Sequence, residues 1–344
     1  MTFDSIEWFN LLVTYGLWSV FLLALFLLYF FTARHFKILD YPNERSSHRK
    51  PTIIGAGILF PLTVLLWLAF YDLHHTWFIT GLMLISVISL WDDIIGVKAH
   101  RRVFMHFISA GLLLISTGGF DMQWYLIIIA WLLVVGYVNA GNFMDGINGM
   151  TAFYHLVMIG SFLFLGYAED LLPAVLLPDS VLHLSAFIPG KLPGLLFISL
   201  VVFAFFNARK HALVFAGDVG SISISFIVAW LMITLMRGTA NFYWILFIST
   251  YAIDTIYTII VRLCRNKNPL EAHRQHLHHL LVDRRKRPHL TVSLAYALVQ
   301  LITNSLTIWL ILTESMRFPI FLVIVMVLVG LYAYARRTAL ACRH

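Results

Sequence analysis

The sequence predicts an all-α, polytopic integral membrane helical bundle of about 11 transmembrane helices. Three observations lead there. First, 60% of the 344 residues are apolar and only 12% are charged, where soluble chains average about 45–50% and about 25%. Second, the apolar residues fall into runs that approach the ~20 residues a bilayer crossing needs at 1.5 Å rise each. Third, the basic residues crowd onto alternate connections between those runs. A soluble core could not hide this much apolar surface, which excludes a soluble enzyme, a disordered chain and a nucleic-acid-binding domain. The formal net charge of +7 therefore bears on membrane sidedness. With two cysteines, Cys264 and Cys342, neither a disulfide framework nor a thiolate zinc site is expected.

The first run, 9–31, follows Asp4 and Glu7, where a secretory leader would be basic. It reads as a span. The others are 53–71, 77–92, 103–117, 122–139, 150–167, 194–207, 219–236, 242–262, 292–312 and 318–335. The third and seventh are short and are expected to run on into their loops. The runs are uniformly apolar rather than alternating, which excludes an outer-membrane barrel. No internal repeat or soluble insert divides the chain, so 1–344 reads as one domain. With the N-terminus outside, the inner segments are 32–52, 93–102, 140–149, 208–218, 263–291 and the tail 336–344. Together with Arg262 at the inner end of its run they hold 21 of the 24 Lys and Arg, leaving Lys191, Arg237 and Arg317 outside. This asymmetry predicts a cytoplasmic C-terminus and five cytoplasmic loops.

Those loops also hold most of the polar chemistry. The spans themselves carry few ionisable groups: Asp254 most clearly, with His155 and His106 nearer helix ends. A transporter would place such groups at the midplane. The first loop reads RSSHRKPT over 45–52, and its Arg49 and Lys50 suit either phosphate or anionic headgroups. The second opens on Asp92-Asp93, followed by Lys98, Arg101 and Arg102. Adjacent carboxylates repel and need a cation or a raised pKa. The pair is either a solvated helix stop or a metal- or phosphate-handling group.

The third loop, NAGNFMDGING over 139–149, carries Asn139, Asn142, Asp145 and Asn148 with three glycines and no Lys or Arg. Buried amides and a carboxylate are costly without a ligand or metal to meet them. The fourth, FAGDVGS over 215–221, leads into a helix and reads as a cap or as a phosphate-facing N-terminus. The fifth holds Glu271, His273, Arg274, His276, His278, His279 and the basic run 284–287. On a helix, His273, His276 and His279 would share one stripe and Leu270, Leu277 and Leu281 another, so the segment is expected on the membrane surface. A cationic, hydrogen-bonding patch for a diphosphate or sugar is preferred over zinc, with a purely topological basic loop as the plain alternative.

In these residues the chain strongly resembles the polyprenyl-phosphate N-acetylhexosamine-1-phosphate transferase superfamily. RSSHRKPT (45–52), Asp92-Asp93, NxxNxxDGxNG (139–149), FxGDxGS (215–221) and HxHH (276–279) stand in family order across nearly the whole chain. The resemblance implies ten or eleven helices around a cytoplasmic cleft in a bacterial inner membrane. It implies Mg²⁺, with Mn²⁺ as a substitute. It also implies a UDP-N-acetylhexosamine donor, an undecaprenyl or other polyprenyl phosphate acceptor in the bilayer, and release of UMP. By that likeness Asp218 and Asn142 are metal ligands. Asp92, with Asp93 beside it, handles the acceptor phosphate. Asn148 reads uracil with Asp145 next to it and Asn139 upstream. His276, His278 and His279 contact diphosphate or sugar, and Arg49, Lys50, Thr52 and Arg274 contact the anionic substrates. A homodimer is compatible with it.

Two departures bear on the branch. The family's PTPRGGG-like stretch reads PTIIGAG over 51–57, without its Arg. The Lys of the peptidoglycan branch's DDxxK pattern is replaced by Gly96, with Lys98 two positions later. With HxHH in place of three consecutive histidines, these favour the O-antigen, GlcNAc-1-phosphate branch over the phospho-MurNAc-pentapeptide translocases. A transporter of an anionic lipid or nucleotide is the rival from another class.

Overall fold

A computed structural model describes residues 5–42, 50–172, 184–268 and 273–341. Each of the eleven apolar runs is one helical segment. In order they are α1 (Ser5–His35), α2 (Leu59–Tyr71), α3 (Thr76–Ile95), α4 (Ala99–Ser116), α5 (Trp124–Met144) and α6 (Met150–Gly166). After the four-residue α7 (Ala168–Leu171) come α8 (Leu192–Asn207), α9 (Gly217–Gly238) and α10 (Ser249–Leu263). The short α11 (Leu277–Asp283), α12 (His289–Leu312) and α13 (Phe318–Ala341) complete the chain. Short 3-10 segments, Ala56–Ile58 and Phe242–Ile248, lead into α2 and α10. The protein is an all-α polytopic membrane bundle. Among the described residues, seven helical segments are long and apolar enough to cross a bilayer, and three apolar ones are shorter. The eleventh, α4, carries Arg101 and Arg102 near its start.

Several helices run further than the apolar runs suggest. α3, whose short run was expected to extend, continues past Asp92 through Asp93 to Ile95, α4 begins early enough to include Arg101 and Arg102, and α5 continues past Asn139 through Asn142. Hydropathy stops at the first charge. The helices go on because Asp92, Asp93, Arg102 and Asn142 meet polar partners on neighbouring helices rather than lipid.

The bundle is built around α9. Of its most apolar window 89% is buried, against 11% for α1 and 6% for α13. α9 is therefore the central helix, and α1 and α13 are rim helices facing lipid. It packs on α2, α3, α5 and α6. Its serines are small enough for close approach. Each returns its hydroxyl to the preceding turn, Ser221 to Gly217 O at 3.1 Å, Ser223 to Val219 O at 2.5 Å and Ser225 to Ser221 O at 2.7 Å. No polar atom of these buried side chains is left without a partner.

A small sheet, unforeseen in the sequence, fixes the first loop to α9. Strands β1 (Leu39–Asp40) and β2 (Thr52–Ile53) pair antiparallel. Ile53 also bridges Val214 in parallel. The ladder continues through Phe215 N–H to Ile53 O (2.7 Å), Ala56 N–H to Phe215 O (3.1 Å) and Gly57 N–H to Ala216 O (3.0 Å). Two-residue strands carry too little alternation to register as a pattern.

At mid-height, Trp230 of α9 stacks on Phe78 of α3 with centroids 3.9 Å apart and touches Trp67 and His75. The indole is 1% exposed. Trp230→Ala leaves a cavity on the central helix and should cost about 3–5 kcal/mol. A melting temperature in detergent several degrees below that of the parent protein checks it.

Candidate functional site

The motif loops converge on one end of the bundle, where α9 begins. The first amides of a helix have no intrahelical acceptor, and here Asp93 supplies one from α3. Its Oδ1 accepts the Asp218 N–H at 2.8 Å and its Oδ2 the Val219 N–H at 3.0 Å. The helix N-terminus favours that negative charge. Gly217 makes the approach possible. It has φ +72°, and a Cβ there would collide with the Asp93 carboxylate and the Gly55 amide. Thus the Gly-Asp tract and the second Asp of the pair form one device. Both oxygens of Asp93 are engaged by backbone, so its job is to position α9.

Asp92 faces the other way. Its Oδ1 accepts the Val97 N–H at 2.5 Å, closing the end of α3, and its Oδ2 is paired with the Arg102 guanidinium. The same Arg102 Nη1 reaches Asp218 Oδ2 at 2.5 Å. Arg102 therefore joins Asp92 to Asp218 across three helices. Sequence reasoning counted it only as a loop charge. The available signal was that an Arg in the first turns of the next helix has the reach to meet a carboxylate pair just before it.

On α5, Asn142 accepts the Ser221 hydroxyl at 3.2 Å, which sets its carboxamide beside the first turn of α9. Asn139, one turn earlier, donates to Val135 O in its own helix at 2.7 Å. Asp145 ends α5 and accepts the Thr151 hydroxyl at 2.5 Å. Burial pushes the Asp145 carboxyl up to about 7, the Thr151 hydrogen bond opposes this, and the charge of Asp218 adds to the rise. Asn148 ties the turn to its neighbours. Its Nδ2 donates to Arg209 O at 2.8 Å, and its carbonyl accepts the Ser293 hydroxyl at 2.8 Å.

The histidine loop closes over this turn. A Cβ on Gly146 would lie 2.5 Å from His279 Cε1 and 2.9 Å from His278 Nε2, so only a glycine lets the loops meet. The expected surface stripe does not form. α11 starts after His276, His273 lies outside it, and His276, Leu277, His278, His279 and Leu280 are all buried. They pack inward on α12 and α13. Leu270 and Glu271 lie outside the described residues. Burial pushes His278 and His279 below the ordinary imidazole range, and with the Arg262 charge nearby it brings His273 down to about 4. These three rings are neutral hydrogen-bonding groups near pH 7, not the cationic patch the sequence suggested. The cations of the loop lie elsewhere. Arg274 makes a two-pronged pair with Asp283 at 2.9 and 3.0 Å, and Arg284, Lys286 and Arg287 are exposed.

In the first loop, Thr52 is buried in β2 and donates to Lys50 O at 3.0 Å, while Lys50 is exposed. Arg49 lies outside the described residues. Asp92, Asp93, Asn142, Asp145, Asn148, Asp218 and the histidines thus form one constellation, while Thr52 joins it through the backbone ladder to α9.

Residues 75–236 match the family model described as glycosyl transferase family 4. The chain is 25% identical over 354 residues to the undecaprenyl-phosphate alpha-N-acetylglucosaminyl 1-phosphate transferase of Escherichia coli K12, covering 94% of this chain and 91% of that one. It is 24% identical over 327 residues to the protein of the same name from Yersinia pestis, covering 88% and 85%. A phospho-N-acetylmuramoyl-pentapeptide-transferase of Shouchella clausii is 28% identical over 217 residues, covering 53% and 61%. The likeness to the GlcNAc-1-phosphate branch thus runs through nearly the whole chain, and that to the MurNAc branch through 53–62% of it.

The capping geometry makes a prediction of its own. In Asp93→Asn the amide group would turn a donor toward one of the two α9 N–H groups. The loss should be about 0.5–2 kcal/mol, as for other helix caps. A lower melting temperature with unchanged helical circular dichroism checks it.

Proposed function

We propose that the chain, whose residues 75–236 match glycosyl transferase family 4, transfers an N-acetylhexosamine 1-phosphate from its UDP-sugar to a polyprenyl phosphate in a bacterial membrane. The branch of its relatives makes UDP-GlcNAc the first donor to test. The observation that carries the reading is the convergence of Asp92, Asp145 and Asp218 with Arg102 on the start of one buried helix, against a wall of neutral imidazoles.

The donor set suits a hard divalent cation, since the oxygens around the α9 start come from carboxylates and carboxamides. Among the described residues no three His, Cys, Asp or Glu side chains gather as a complete cage. Mg²⁺ usually takes one or two carboxylates and leaves the rest to water and substrate phosphates. Asp218 and Asn142 would hold the ion. When bound, Mg²⁺ neutralises charge on the donor diphosphate and on the departing UMP.

The chain's own groups do the remainder. Arg102 lies between Asp92 and Asp218, where it can pair with a phosphoryl oxygen. Asp92 orients the acceptor phosphate and takes its last proton, since a phosphate monoester's second pKa is near 6. An acceptor oxygen attacks the phosphorus that bears the sugar. The bond from that phosphorus to the bridging oxygen breaks, and UMP leaves with the electron pair. The neutral His278 and His279 rings line the sugar side with hydrogen-bonding nitrogens. Burial keeps them from protonating near neutral pH, so they discriminate by hydrogen bonding rather than by charge.

The eleven helical segments and the basic-residue asymmetry support an inner-membrane protein with the N-terminus outside and the C-terminus inside. Reporter fusions in the connections near residues 145 and 278 should report the cytoplasmic side for both. Opposite sides would end the single-site reading. The rival transporter reading loses its main support in Asp254, whose carboxylate is closed in by hydrogen bonds from helices around it.

The decisive experiment is Mg²⁺-dependent exchange of labelled UMP into UDP-GlcNAc, in the presence of a short polyprenyl phosphate. A transporter does not support it. Asp218→Asn keeps size and removes charge, so turnover should fall by about 10²-fold or more, as when one strong electrostatic stabiliser of a transition state is removed. Asn142→Ala should fall less. A folded Asp218→Asn protein with near-parental, Mg²⁺-stimulated transfer would move the metal to Asp92.

A further inference from the structure

Asp254 is fully buried on α10. Four elements aim donors at it. Its Oδ1 accepts His276 Nδ1–H at 3.0 Å, the Leu277 N–H at 3.3 Å, the Thr258 hydroxyl at 3.2 Å and the Tyr332 hydroxyl at 2.9 Å. Its Oδ2 accepts the Tyr296 hydroxyl at 2.6 Å, and His278 Nδ1 stands 3.7 Å away. Outside this shell, Arg336 of α13 donates to the Tyr332 oxygen at 2.9 Å and to Thr258 Oγ1 at 3.1 Å. A carboxylate so enclosed accepts only, so the His276 nitrogen facing it carries the hydrogen.

The consequence lies on the far side of the ring. With Nδ1 held, Nε2 of His276 is buried yet has no hydrogen-bond partner among the described residues, and the same is true of Nε2 of His278. The three rings stand in a row, His276 stacked on His278 with centroids 5.7 Å apart and His279 tilted against His278 with centroids 4.1 Å apart. The row ends against Gly146, in the turn that carries Asp145. Buried imidazole nitrogens without partners are costly, and a row of them beside the acidic site is aimed at a ligand.

We propose that Asp254, held by Tyr296 and Tyr332, is a positioning residue of the transfer reaction: it fixes the tautomer and ring plane of His276 and thereby the row of imidazoles that meets the donor. This rests on the transferase reading, and the experiment separates the two. UMP exchange by the parent protein tests that reading. Its absence overturns both. With exchange present, His276→Ala must lower kcat, and an unchanged kcat overturns the proposal alone. Asp254→Asn should then lower kcat at least about 30-fold, and the double variant Asp254→Asn/His276→Ala should be no slower than His276→Ala, within about twofold. A purely structural Asp254 would instead multiply its loss onto that of His276→Ala, and that result overturns the proposal.

Tyr296→Phe keeps shape and removes one bond to Asp254, and Tyr332→Phe removes its bond to Asp254 together with an acceptor of Arg336. Each should cost about 3–10-fold in kcat alone and nothing in the His276→Ala background. If Asp254→Asn fails to accumulate, these two variants decide by the same criterion.

Discussion

The site depends on where and how α9 starts. A helix buried along nearly its whole length begins at the motif end with amides that its own backbone cannot satisfy. Leaving buried donors unsatisfied costs about 1–3 kcal/mol apiece. Asp93 meets two of them, and that choice propagates. Gly217 must lack a side chain, because the carboxylate occupies its Cβ position. Asp92, the next residue back, is turned toward α4 and pairs with Arg102, which brings in Asp218. The ladder from Ile53 to Ala216 pins the same point from the first loop. Four of the five motif loops are thereby set by the start of one helix.

The electrostatics follow from that packing. Asp92, Asp145 and Asp218 stand close enough for Asp218 to raise Asp145, and Arg102 is the cation the ion pairs place between Asp92 and Asp218. The histidines do not offset the negative charge, because burial keeps His278 and His279 neutral. An acid-rich pocket with neutral walls favours a bound cation, and a cation held there favours phosphate. A site for two anionic substrates is thus compatible with a pocket that is itself acidic, provided a metal ion enters with the diphosphate.

The fold was legible because lipid enforces a simple rule: each helix must be apolar over most of its length, and all eleven runs are helical. What the rule missed are the places where polar groups face each other instead of lipid. The end of α5 beyond Asn139 and the start of α4 were read as loop, so Asn142 lost its helical frame and Arg102 its partners. The site's residue types were legible from Asn142, Asp145, Asp218 and the HxHH tract, because those loops have more polar groups than a turn requires. Their roles were not. Nothing in the Asp92-Asp93 doublet says that one member caps a helix while the other pairs with an Arg; that follows from the direction α9 arrives. The histidines recur at helical spacing, yet α11 begins only after His276, so periodicity alone placed them on the wrong surface.

Asp93 and Asp254 solve one physical problem at two places. Each is a carboxylate on a long helix whose oxygens are filled by groups from another segment, and each fixes a loop that has little regular structure of its own. Asp93 fixes the start of α9, and Asp254 fixes His276 and the start of α11. The two fixed loops meet at the turn between α5 and α6, where Gly146 touches the histidines and Asn148 holds the carbonyl of Arg209 and the hydroxyl of Ser293. That turn lacks Lys and Arg for the same reason that it carries glycine: imidazoles from one side and an acidic helix start from the other converge there, and a long cationic side chain would separate them.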